Sequence, residues 1–85
     1  MANEYLKDSL SRRLLKTRME LSLTRIELSR ISGTSRHEIK NIEEGVSLRP
    51  DSIESIADAL KVNPAWLQFG DLWAGRDRRS NANNR

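Results

Sequence analysis

The chain of 85 residues contains no cysteine, which removes disulfides, thiolate metal sites and thiol nucleophiles together. Its one histidine lacks the partners a metal centre requires. There is no Gly-rich phosphate loop and no paired carboxylate site, so no enzyme, cofactor or metal is expected. No apolar run is long enough to span a bilayer. The opening Met1-Ala2-Asn3-Glu4 lacks the basic-then-apolar pattern of a signal peptide. Together with the missing cysteines this points to a reducing cytoplasm. Strand-like alternation is absent as well.

What is present is charge, and its distribution says more than its sum. Charged residues make up 32% and the net charge is +3. Residues 1–34 carry an excess of three positive charges and 35–50 are balanced. Residues 51–70 carry −2 and 71–85 carry +2. A polyanion would be drawn to the first segment and the tail and repelled by the third. One modest core is all that this length allows.

Short helical patterns separated by turn signals fill the chain as far as Gly70. The first runs from about Asp8 to Met19, with Leu10, Leu14, Leu15 and Met19 on one face and Arg12, Arg13 and Lys16 largely elsewhere. Thr24 and Glu27 form a capping box for a second helix, which carries Leu28 and Ile31 and stops at Gly33. Ser35 and Glu38 repeat the box before Ile39 and Ile42, and Gly45 ends that helix. Asp51-Ser52-Ile53-Glu54 offers a third capping signature ahead of a stripe of Ile53, Ile56, Ala57 and Leu60. Asn63-Pro64 then opens a last short helix with Trp66, Leu67 and Phe69. Trp66 has the spacing of a core anchor. A domain over residues 1–70 and a polar, disordered tail or linker over 71–85 are expected.

Two short helices joined by a turn of three or four residues form a helix-turn-helix. Leu23, Leu28, Ile39 and Ile42 supply its inward side chains. Ser29 is small where the helices cross, and Gly33 supplies the permissive turn. The segment from Leu23 to Gly45 resembles the XRE-type helix-turn-helix of lambdoid phage repressors and Cro proteins, and the likeness extends over about residues 8–70. It implies an all-α, five-helix, lambda-repressor-like fold. The implied function is a bacterial or phage transcriptional regulator, most simply a repressor, binding a palindromic operator on double-stranded DNA as a homodimer in the cytoplasm.

By that resemblance, residues 35–44 form the recognition helix in the major groove. Arg36, Asn41 and His37, in that order, are the candidate base readers. Arg36 suits guanine O6 and N7, and Asn41 suits adenine N6 and N7. Glu38 is assigned to the cap. Arg25 stands where the family commonly has a phosphate-bonding Gln, and gives a charge-assisted contact instead. Lys40, Arg49 and Ser35 are the other phosphate candidates. Arg12, with Arg13 and Lys16, either reaches flanking phosphates or forms a solvated helix face. Arg18 and Glu43 match a structural ion pair between the first helix and the recognition helix. Ser32 stands where an apolar residue is common and Ile31 where a polar one is. The dimer contact is expected at Leu67, Phe69, Leu72 and Trp73. The same fold also serves antitoxins and adaptors whose main partner is a protein. The tail is either a natural Cro-like end or a linker to a further domain.

Overall fold

A computed structural model describes residues 9–77. Within them the chain forms five helices: α1 (Leu10–Glu20), α2 (Arg25–Ser32), α3 (Arg36–Glu43), α4 (Ile53–Leu60) and α5 (Pro64–Phe69). No strand accompanies them; the nearest approach is an isolated antiparallel bridge between Val62 and Asp77. Among the described residues no helix is long and apolar enough to cross a membrane. Helix α1 lies against α3 and α5, α2 against α3 and α4, and α4 against α5.

Helices of eight residues are too short to persist alone in water, so their caps and buried faces decide where they form. Ser9 caps α1 by accepting a hydrogen bond from the Arg12 amide. Thr24 and Glu27 complete a full capping box at α2. Ser35 accepts from the Glu38 amide at 3.0 Å, but the return bond that completes the box at Thr24 is not formed there. Asn63 caps α5, with Pro64 in the first turn. Gly33 ends α2 at φ +77°, a left-handed conformation that a side chain would strain. Residues 33–35 are all that separates α2 from α3.

The third expected cap does not form. Ser52 has ψ near 10° rather than the extended value of the other caps, and its side chain bonds no helix amide. Its Oγ is buried without a partner, and the stripe behind it carries α4 instead. Ile56, Ala57 and Leu60 are buried there, with Ile53 packed against them.

The core joins these residues to Leu10, Leu14, Leu28, Ile39, Ile42, Val62, Trp66 and Leu67. On α1 the buried arc is Leu10, Arg13, Leu14 and Thr17. At about 100° per residue these four share one face and Met19 falls opposite Leu10; it is exposed. Arg13 was expected on the outer side, but it is 7% exposed. Its Nε donates to the Leu67 carbonyl at 2.9 Å and its Nη2 to that of Gln68 at 2.8 Å. A guanidinium thus satisfies carbonyls at the end of α5 that have no partner within the helix. On α2 the departures at Ile31 and Ser32 resolve in the same way. Ile31 is exposed, while Ser32 turns inward and its Oγ accepts from the Thr34 amide at 3.1 Å.

At the junction of α1, α2 and α3 a carboxylate is enclosed by two arginines. Arg18 reaches Glu43 through Nε at 2.6 Å and Nη2 at 2.9 Å, and its Nη1 donates to the Leu23 carbonyl at 2.8 Å. Arg25 Nε donates to Glu43 Oε1 at 2.9 Å. The Glu43 side chain is 1% exposed, against 12% for Arg18 and 35% for Arg25. The hydrogen bond to Glu43 raises the Arg18 pKa above its ordinary value despite partial burial. The expected Arg18–Glu43 pair is therefore present, with Arg25 as a third member.

The packed unit extends beyond Gly70, to Asp77. Asp71 Oδ1 accepts from the Trp66 indole at 2.6 Å, and the Asn63 amide donates to the Arg76 carbonyl at 2.9 Å. The Arg76 guanidinium lies 5.2 Å from the Trp66 ring centroid and pairs with Glu20. Residues 71–77 thus lie on the helical body, where a polar tail was expected; residues 78–85 lie outside the described residues.

Glu43→Ala leaves a largely buried Arg18 unpaired and should cost ~3–5 kcal/mol in urea unfolding, a scale typical of broken buried pairs. Arg25→Ala, at a more exposed partner, should cost about 1 kcal/mol or less. The hydrogen bond from Arg76 lowers the Glu20 pKa. Its contribution is therefore present above the ordinary glutamate range and lost as pH falls through the lowered value. The protection of the Asn63 amide, taken relative to the intrinsic exchange rate at each pH, should fall over that acidic window, and Glu20→Gln should diminish the change.

Candidate nucleic-acid interface

On α3 the caps and the core together decide which residues face outward. Ile39 and Ile42 are fully buried and Glu43 nearly so. These residues root one side of the helix against α1 and α2. At about 100° per residue, Arg36, Lys40, Glu44, His37 and Asn41 occupy the remaining arc. The first four are exposed and Asn41 is half-buried. Glu38 lies at the border and is half-buried.

The expected base readers Arg36, His37 and Asn41 consequently share one outward arc with Lys40. The backbone carbonyl of Asn41 accepts from the amides of Val46 at 2.8 Å and Ser47 at 3.1 Å. That ties the start of the following loop to the helix. Ser35 is exposed at the N-terminal end of the arc, its hydroxyl engaged in the cap. Glu44 was not singled out from the sequence, although its position on the same arc follows from the spacing alone.

Arg49 lies farther along the loop, exposed, with its guanidinium 5.9 Å from the Phe69 ring centroid. Such a contact uses the face of the guanidinium and leaves its in-plane N–H groups available. Arg12 is exposed on α1. Arg13, named with it as a possible phosphate ligand, is instead committed to the α5 carbonyls. Its signal was available, since residue 13 falls three positions after Leu10 and one before Leu14. Arg25 is half-buried with Nε on Glu43, a contact that its place at the start of α2 did not reveal.

Of the expected dimer residues, Leu67 is fully buried and has no surface to offer a second molecule. Helical spacing turns it into the core beside Trp66. Phe69 is 47% exposed, Leu72 96% and Trp73 72%. The rings of Phe69 and Trp73 meet with centroids 5.7 Å apart, and the Gln68 side chain donates to the Leu48 carbonyl at 2.9 Å. Leu48 is itself exposed. An apolar surface therefore runs from the end of α5 toward the loop that follows α3. Among the described residues no group of His, Asp and Glu is placed to hold a metal ion.

A family model for the helix-turn-helix domain matches residues 11–69, which spans all five helices apart from the first residue of α1. The match covers most of the chain and coincides with the unit whose α2, short turn and α3 have just been described. The chain belongs to the helix-turn-helix domain family, of the XRE/Cro-like type.

Proposed function

We propose that this chain is a sequence-specific regulator of transcription, most simply a repressor, that binds a palindromic operator as a homodimer. The observation that carries the reading is the outward arc of α3. Arg36, His37 and Lys40 are exposed there and Asn41 partly so, while the opposite side is anchored in the core. An α-helix fits the major groove, and Arg and Asn have the donor and acceptor geometry to read guanine and adenine edges. In this reading Arg36, Asn41 and His37 contact bases. Lys40, Ser35, Arg49, Arg25 and Arg12 contact phosphates, which hold the register without specifying sequence.

A domain this small buries little surface on DNA, and pairing two copies on half-sites ~34–36 Å apart raises affinity. Phe69, Leu72 and Trp73 are the proposed contact between copies. Their support is large exposed apolar area close to one another.

Duplexes selected from a random pool should contain a palindrome. Arg36→Ala and Asn41→Ala should each cost ~1–3 kcal/mol on the selected half-site and relax preference at one position. A uniform loss over all sequences would reassign them to phosphates, and no binding at low salt would overturn the reading. For pairing, Leu72→Ser/Trp73→Ser should convert cooperative occupancy of two half-sites into independent occupancy, read by gel shift and sedimentation. Unchanged cooperativity would remove this surface from the interface.

A further inference from the structure

We propose that Glu43 is a positioning residue for phosphate binding by Arg25, so that one buried carboxylate fixes both the recognition helix and a backbone anchor. The inference rests on the DNA-binding reading and adds to it a role for a residue otherwise only structural.

The two arginines on Glu43 are used differently. Arg18 commits Nε and Nη2 to the carboxylate and Nη1 to the Leu23 carbonyl. All three of its nitrogens are engaged, and its side chain is 12% exposed. Arg25 commits Nε alone and keeps 35% of its side chain exposed. No described hydrogen bond engages its Nη1 or Nη2. A guanidinium is planar, so a bond at Nε sets the orientation of the whole plane. The pair of terminal nitrogens is then held ready for the bidentate geometry that phosphate oxygens accept.

Glu43 is the last residue of α3, and Arg25 the first of α2. The bond between them therefore ties a phosphate ligand directly to the helix that carries Arg36 and Asn41. A free arginine on the surface loses side-chain entropy when it orders on a ligand. Here part of that ordering is already present in the folded protein.

The test is a double-mutant cycle in duplex binding, with folding of each variant checked by circular dichroism. Glu43→Gln should weaken binding about 10-fold, on the scale of coupling inside one hydrogen-bonded network. In an Arg25→Met background the same change should weaken binding distinctly less, leaving only the part that acts through Arg18 and the seating of the recognition helix. Arg25→Met should also reduce the log–log salt slope by ~0.9, the value for one lost phosphate contact. A Glu43 that only supports the fold would weaken binding equally in both backgrounds, and that result would overturn the proposal.

A measurement on the unaltered protein guards against a Glu43 variant that fails to fold. The Arg25 Nε–H should exchange with solvent more slowly than that of Arg36 in the free state. Equal exchange at the two sites overturns the proposal. Duplex binding with uncoupled variants removes only the role of Glu43, whereas no duplex binding at all removes the functional reading as well.

Discussion

The Glu43 carboxylate, shut away from solvent between two guanidinium groups, is the interaction on which the arrangement of the first three helices depends. It receives N–H groups from α1 and α2 while standing at the end of α3. Its backbone carbonyl also accepts from the Ser11 hydroxyl at 2.5 Å. Replacing such a group by a well-packed apolar side chain often leaves stability unchanged or improves it. Its value here is geometrical. Hydrophobic contacts alone would let a short helix slide or rotate at modest cost, whereas a bidentate pair admits one orientation.

That restriction matters because α3 has little else to hold it in place. Eight residues give two turns, too few to form a stable helix in isolation. Ile39 and Ile42 provide the apolar contact, and Ser35 caps the beginning. Thr34, buried in the turn before it, donates its amide to Ser32 and so keeps the approach from α2 short. Each device acts on the inner side or at an end. None consumes the outward arc, which is left polar and open.

The parts of this fold that were legible in the sequence are those governed by local rules. Capping at Thr24, the left-handed turn at Gly33, the inward set of Leu28, Ile39 and Ile42, and the stripe on α4 all follow from spacing within a few residues. The misreadings arise where a distant segment or an unforeseen backbone conformation determines a residue's fate. Spacing puts Arg13 on the buried arc of α1, but what lets a guanidinium stay there is the pair of carbonyls at the end of α5, more than fifty positions away. Leu67 looks available until α5 closes over the core. Ser52 has the right type for a cap but not the required backbone conformation. The expected Arg18–Glu43 pair came from resemblance to a family; the third partner, Arg25, could come only from the assembled structure. Among the proposed DNA contacts, spacing on α3 was enough to place Arg36, His37, Lys40 and Asn41 on one arc, but it carries no information about what that arc reads.

Segregation of charge adds a longer-range consequence. Asp51, Glu54 and Asp58 are exposed in and around α4, a helix that packs against α2 and α5. The outward arc of α3 instead presents Arg36, Lys40 and His37, with Glu44 as its acidic member. Arg49 follows on the adjoining loop. A polyanion meeting this surface would be attracted at α3 and repelled at α4, so the field favours one docking orientation before any short-range contact forms. Salt would weaken that steering over a Debye length of ~8 Å at physiological ionic strength, but would screen the enclosed Glu43 cluster much less. Two electrostatic tasks would then be separate in one domain: charges buried at the helix junction set the shape, and charges left in water would steer a polyanion.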